Sequence, residues 1–328
     1  IGNPNPQQVV FTGSCTDSLN LAIQGFLREG DHVVTTACEH NSVLRPLRAL
    51  SDDKQITVTH VDCDGQGFVS PDDIRSAIRP STKLIAVVHG SNVTGAVQPL
   101  DEIGRIARET GSLLLVDAAQ TIGHLPLDVE AGQIDLLAAS GHKGLLGPLG
   151  TGLLYIRPGL ETQIRPLRYG GTGSASESDQ QPETMPDKFE AGNHNMPGLA
   201  GLAAAVEFVD SQGITASESH QRQLCGQLLD GLSAISVLTL YGPPTTENRT
   251  SVVSFNLPDY EPQELAAVLD ATGGVQARAG LHCAPRLHQA LGTLETGGTV
   301  RLSPGWATTP GEIDKTLELI GSLASVTH

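Results

Sequence analysis

Short apolar runs alternate with stretches of helical character along the first half of this 328-residue chain. The runs are Gln8-Gln-Val-Val-Phe11, Asp31-His-Val-Val-Thr35, Ile56-Thr-Val-Thr-His-Val61, Leu84-Ile-Ala-Val-Val88, Leu113-Leu-Leu-Val116, Ile134-Asp-Leu-Leu-Ala138 and Gly152-Leu-Leu-Tyr-Ile156. Strands that are apolar nearly throughout, rather than at every second residue, belong in a sheet covered on both faces. The pattern therefore predicts an α/β fold with a mainly parallel central sheet flanked by helices. Between the runs, Pro99 to Gly111 repeats apolar residues at helical spacing and ends on a glycine stop. Ligands of such sheets gather at the carboxyl ends of the strands, so the polar residues that follow the runs are the first candidates for chemistry.

Aromatic residues make up only 3% of the chain, so the core has to be built from Leu, Val, Ile and Ala. A formal charge of −16 disfavours nucleic acid and anionic membranes as partners. No apolar run approaches the roughly 20 residues that span a bilayer, and the opening Ile-Gly-Asn-Pro-Asn-Pro lacks a signal pattern, so the expected location is the cytoplasm. Five cysteines, widely spaced and without a Cys-x-x-Cys pair, argue against a disulfide framework or a structural metal site. From Tyr169 to Asn195 the chain is rich in Gly, Ser, Glu and Pro and too long for an ordinary connection, which suggests a functional or intersubunit loop. A large domain over 1–211 and a smaller C-terminal α/β domain over 212–328, carrying the loop of Cys283, are expected.

Lys143, in Ser140-Gly-His-Lys143, follows the run that ends at Ala138 and precedes a glycine-rich stretch up to Gly152. An amine at a strand end can form a Schiff base with an aldehyde cofactor, or it can be a solvated surface charge. Asp117 ends the preceding run. A carboxylate there can pair with a pyridine nitrogen or merely cap a helix, and Gln120 can bond a phenolic oxygen or a loop backbone. Thr12-Gly-Ser-Cys-Thr-Asp-Ser18 opens a helical run and suits phosphate, with Thr16 as an added donor, or serves as a plain cap. His40, just beyond another run, can stack on a flat ring and handle protons, or be one more structural histidine.

The order of these segments resembles the class V PLP-dependent enzymes of fold type I, and among them the cysteine desulfurases and selenocysteine lyases, over nearly the whole chain. The resemblance implies pyridoxal 5'-phosphate held through Lys143, with Thr16, Ser140 and His142 on its phosphate side. It also implies His40 stacked on the ring, Asn92 of Ser91-Asn-Val-Thr-Gly95 near the phenolic oxygen and the substrate, and Asp117 and Gln120 as ring contacts. Arg278-Ala-Gly-Leu-His-Cys-Ala-Pro285 resembles the catalytic-cysteine segment, with Cys283 as nucleophile and Arg278 and His282 as the neighbours that would activate it; a buried structural cysteine is the other reading. Arg301, in Val300-Arg-Leu-Ser-Pro304, resembles the arginine that grips the substrate carboxylate.

Thr172, in Tyr169-Gly-Gly-Thr-Gly173, resembles a residue that completes the phosphate site of a homodimer from the neighbouring subunit. Where relatives read Gly-Thr-x-Asn, this chain has Gly192-Asn-His-Asn195 and lacks that threonine hydroxyl. Relatives also carry an N-terminal arm ahead of the position matching Ile1, and the expectation is a fragment or a truncated relative with reduced activity. The activity implied is conversion of L-cysteine to L-alanine, with sulfur held on Cys283 as a persulfide and passed to an acceptor protein. The alternatives are a selenocysteine lyase acting on L-selenocysteine, another class V reaction, or a catalytically impaired binding protein.

Overall fold

The computed structural model describes every residue except 3, 4, 54, 327 and 328. Residues 3 and 4 belong to the opening run read for a signal pattern, and that part of the reading lies outside the described residues.

The chain divides into two compact units, one of residues 1–61, 70–89 and 99–214 and the other of 62–69, 90–98 and 215–328. A border after residue 211, expected from the change in sequence texture, misses the two short excursions that give residues 62–69 and 90–98 to the second unit. Asn92 is thus a residue of the second unit.

In the first unit the chain runs β1 (Val9–Thr12), α1 (Cys15–Phe26), β2 (His32–Thr36), α2 (Asn41–Asp52), β3 (Thr57–Val61), α3 (Pro71–Ala77), β4 (Thr82–Val88), α4 (Leu100–Thr110), β5 (Leu113–Asp117), β6 (Leu136–Ser140), β7 (Gly152–Ile156) and α5 (Met196–Gln212). The strands form one sheet in the order β1-β7-β6-β5-β4-β2-β3. Neighbours from β6 to β3 are parallel, and β7 runs antiparallel to both β6 and β1. Every residue of β2 and β6 is buried; β6 is accordingly apolar without alternation up to Ser140, while the buried His32, Thr35 and Thr36 of β2 are each hydrogen-bonded.

Helix α1 turns Leu19, Ala22, Ile23 and Phe26 onto the sheet. Full burial of each large aliphatic side chain contributes roughly 1.5–3 kcal/mol, so packing more than propensity holds this helix in place. Its start sits hard against β7: a Cβ on Gly152 would lie 2.4 Å from the Ser14 carbonyl carbon. Residues 169–195 contain neither helix nor strand.

The second unit contains α6 (Ile214–Ser233), β8 (Thr239–Tyr241), β9 (Val253–Asn256), α7 (Pro262–Gly273), β10 (Arg278–Gly280), α8 (Pro285–Ala290), β11 (Thr299–Leu302) and α9 (Pro310–Val326). Its antiparallel sheet has the order β10-β11-β9-β8. Leu224, Leu228, Phe255, Leu265 and Val300 build its core. Strands β8 and β10 have 3 residues each, which leaves no room for a period-2 pattern in the sequence. Among the described residues no helix is long and apolar enough to cross a membrane.

Candidate active site

In the first unit the chemistry gathers where β5 and β6 end side by side. Asp117, the last residue of β5, is 3% exposed. Its Oδ1 accepts the Ala119 N–H at 2.9 Å and the Cys15 S–H at 3.5 Å. Its Oδ2 has no hydrogen-bond partner among the described residues and is not sealed within the core. Burial first, and then the Asp117 charge, push the Cys15 thiol well above its ordinary pKa, against the opposing pull of the Lys143 ammonium and Ser140. Cys15 is therefore a neutral donor that steadies Asp117.

Strand β6 ends at the buried Ser140, and the turn that follows carries an exposed His142 and a half-buried Lys143. The Lys143 amine meets no hydrogen-bond or ion-pair partner among the described residues, and its charge is felt at Cys15 and at His124, which burial and then Lys143 keep neutral. The turn holding half-buried Gln120 presses on this one. A Cβ on Gly144 would come 2.2 Å from the Ile122 carbonyl oxygen, so only glycine permits the approach.

The starts of α1 and α2 are joined by hydroxyls. Thr16 Oγ1 lies 2.8 Å from Ser42 Oγ, and Ser42 Oγ lies 2.9 Å from His40 Nδ1. His40 caps α2 by accepting the Ser42 N–H on Nδ1 at 3.0 Å. Beside it, Glu39 is completely buried: Oε1 accepts from Thr36 Oγ1 at 2.6 Å and from the Val88 N–H at 3.0 Å, while Oε2 is unpartnered. Burial raises its pKa to about 8, with the Asp117 charge adding to the rise, so Glu39 is a neutral acid at pH 7. Sequence reasoning passed over Glu39 and Cys15. The signal for Glu39 was its place between a buried strand and His40, where a solvated acid has no room.

In the second unit, Arg278 and Arg301 face each other across β10 and β11. Burial, and then the Arg278 charge, lower the Arg301 pKa to about 10, which leaves it charged at neutral pH. No acidic side chain pairs with either among the described residues. Arg278 Nη2 lies 3.9 Å from the Sγ of half-buried Cys283. His282 does not supply the charge expected of it: burial, then Arg301 and His288, push its pKa down to about 3, and its Nε2 turns inward to the Thr299 carbonyl at 3.0 Å. His282 and Cys283 both take left-handed backbone conformations, with φ of 47° and 60°. Asn92 Nδ2 donates to the His282 carbonyl at 2.6 Å, and Arg301 Nη1 donates to the Asn92 carbonyl at 2.9 Å.

The candidates thus form one cluster in each unit: Thr16, His40, Asp117, Gln120, Ser140, His142 and Lys143 in the first, and Asn92, Arg278, Cys283 and Arg301 in the second. Thr172 stands apart in the long loop of the first unit, bonded to Ser174. The first cluster suits pyridoxal phosphate on three counts: an open carboxylate oxygen for a pyridine N–H, an unpaired amine for an aldehyde, and a helix start with a threonine for a phosphate.

A model of the family described as aminotransferase class-V matches residues 1–316. A protein named probable cysteine desulfurase from Methanothermobacter thermautotrophicus is 38% identical over 99% of this chain and 81% of its own length. Another of that name from Pyrococcus abyssi is 35% identical over 92% of this chain and 75% of its own length. Among solved structures, the apo cysteine desulfurase of Thermococcus onnurineus superposes with a TM-score of 0.91 at 33% identity, covering 98% of this chain and 80% of that one. An S-sulfonic acid form of the cysteine desulfurase CsdA from Escherichia coli gives 0.89 at 28% identity, with the same coverages of 98% and 80%.

Glu39 makes a prediction about pH. Its pKa of about 8 in the fold stands against 4.5 when unperturbed, so between these values the folded chain keeps a proton that the unfolded chain has lost. Its contribution to stability is complete at low pH and falls as pH rises, by about 1.4 kcal/mol per unit. Urea unfolding of the native chain and of Glu39→Gln at pH 6 and pH 8 should show the variant gaining on the native chain by about that slope. A difference that stays constant with pH would mean that Glu39 is ionised in the fold.

Proposed function

Because the chain belongs to the class V aminotransferase family, within its branch of PLP-dependent cysteine desulfurases, we propose that it takes sulfur from L-cysteine, releases L-alanine and keeps the sulfur as a persulfide on Cys283. The observation that carries this reading is the second cluster, a thiol 3.9 Å from the Arg278 guanidinium on a loop next to two arginines with no acid to pair with.

Pyridoxal phosphate, when bound, supplies an electron sink for charge developing on the substrate's α-carbon. Asp117 Oδ2 would meet its ring nitrogen, His40 its face, Gln120 and Asn92 its phenolic oxygen, and Lys143 its aldehyde. Thr16, Ser140 and His142 would hold its phosphate, together with Thr172 of a second copy. Lys143 Nζ, without a competing partner, holds and moves the substrate's α-proton. Arg301 binds the α-carboxylate through its planar guanidinium, and the Arg278 guanidinium stands 3.9 Å from the Cys283 Sγ. Sγ of Cys283 attacks the substrate sulfur: an S–S bond forms, the carbon–sulfur bond breaks, and the carbon keeps the electron pair and takes a proton, becoming the methyl group of alanine. The persulfide then passes its outer sulfur to an acceptor protein.

The enzyme acts as a homodimer. Helix α5 is apolar along most of its length, yet only Gly198, Leu202 and Val209 of it are buried, and Leu149, Tyr169 and Met196 of the same unit are 77%, 70% and 65% exposed. Such apolar surface is what an isologous interface covers. Sedimentation at micromolar concentration should give a dimer, and a fully active monomer would contradict this assembly.

Lys143→Ala should fold normally but lose the borohydride-sensitive visible absorbance that the native chain acquires with pyridoxal phosphate; a retained band would remove Lys143 from its role. Cys283→Ser should keep the spectral change on mixing with cysteine, while sulfide release falls on the order of 10³-fold or more. Full release by the serine variant would make Cys283 a structural residue, and release from selenocysteine alone would point to a lyase.

A further inference from the structure

Two consecutive residues with side chains, His282 and Cys283, hold φ of 47° and 60°. Left-handed backbone is costly for an ordinary L-residue, and it persists only where the surroundings over-determine it. Three contacts of the second unit do so here. Asn92 Nδ2 donates to the His282 carbonyl at 2.6 Å, the short bond of the three. His282 Nε2 reaches the Thr299 carbonyl at 3.0 Å, and the Ala284 N–H closes the turn on the Leu281 carbonyl at 2.9 Å.

Asn92 can act as a fixed post because its own loop is rigid. Ser91 Oγ accepts from the Val93 and Thr94 N–H groups at 3.2 and 3.1 Å, Ser254 Oγ donates to the Val93 carbonyl at 2.6 Å, and Arg301 Nη1 donates to the Asn92 carbonyl at 2.9 Å. Asn92 is 6% exposed, and its Oδ1 is sealed off without a donor, so the amide is oriented by what its nitrogen bonds. The carbonyl it holds belongs to the peptide that enters Cys283, and rotation of that peptide would swing Sγ away from the guanidinium 3.9 Å from it.

We propose that Asn92 is a positioning residue for the Cys283 thiol: its side-chain amide clamps the His282 carbonyl, and this clamp keeps the left-handed turn that sets Sγ beside Arg278. The role is additional to any contact with cofactor or substrate, and it rests on reading Cys283 as the nucleophile.

Asn92→Asp preserves the side chain's shape and removes the donor. In the whole chain without substrate, the rate of Cys283 alkylation by iodoacetamide, read by peptide mass spectrometry, serves as the probe. Arg278→Gln should slow alkylation severalfold in the native background and leave it unchanged in Asn92→Asp, because the thiol has already left the guanidinium. Hydrogen exchange at residues 281–285 should speed up about tenfold in Asn92→Asp while β9 stays protected. Asn92→Ser, smaller and neutral, should give the same pattern if the added charge is not responsible. Equal slowing by Arg278→Gln in both backgrounds, with unchanged exchange, would overturn the inference even if Cys283→Ser abolishes sulfide release. Full sulfide release by Cys283→Ser would instead sink the nucleophile reading and leave the exchange result standing.

Discussion

Asp117 keeps a carboxylate almost wholly out of water at the end of β5, and such a group is tolerable only with donors close by. One donor is local, the Ala119 N–H; the other is the Cys15 thiol at the start of α1. That thiol reaches Asp117 because α1 begins where it does, and α1 begins there because Gly152 has no side chain to hold Ser14 off β7. The free carboxylate oxygen, the helix start and the Lys143 turn are thus set by one chain of contacts across β5, β6 and β7. A change of shape at Gly152 would be transmitted to the acid although the two residues do not touch.

Much of this was legible in the sequence. Seven apolar runs became the seven strands of the large sheet, and the inner ones such as β5 and β6 are apolar nearly throughout because strands buried on both faces need continuous apolar residues. Lys143 and Asp117 were visible because the carboxyl ends of such strands are where polar residues are not needed for packing. Glu39 stayed hidden because nothing in the letter code separates a solvated glutamate from one sealed between β2 and β4. Cys15 is a small apolar residue by volume, and its bond to Asp117 spans 102 positions of sequence. His282 looked like a cation next to Cys283, and burial made it neutral. Residues 62–69 and 90–98 could not be assigned to the second unit from sequence, since membership there depends on contacts far along the chain.

The distribution of charge is uneven in an informative way. The chain carries 36 acidic and 20 basic residues, yet no acid pairs with Arg278 or Arg301 among the described residues. Arg249 in the same unit is also buried, and its guanidinium donates to the Pro243 and Val252 carbonyls rather than to a carboxylate. Arg249 meets backbone through both terminal nitrogens, which fits a structural part, while its buried Nε has no partner. Arg301 has a buried Nε without a partner as well, but among the described residues only its Nη1 is bonded, to the Asn92 carbonyl, so its Nη2 is left for something else.

The hydroxyls that join α1 and α2 have a directional property. Ser42 Oγ sits between Thr16 Oγ1 and His40 Nδ1, and each hydroxyl has a single proton to give. While Thr16 donates to Ser42, Ser42 can donate onward to His40. An anion that draws the Thr16 proton to itself turns Thr16 Oγ1 into a second acceptor for the one Ser42 proton, in competition with His40 Nδ1, which also accepts the Ser42 N–H. Occupancy at the start of one helix therefore bears on a single proton for which the imidazole capping the next helix competes.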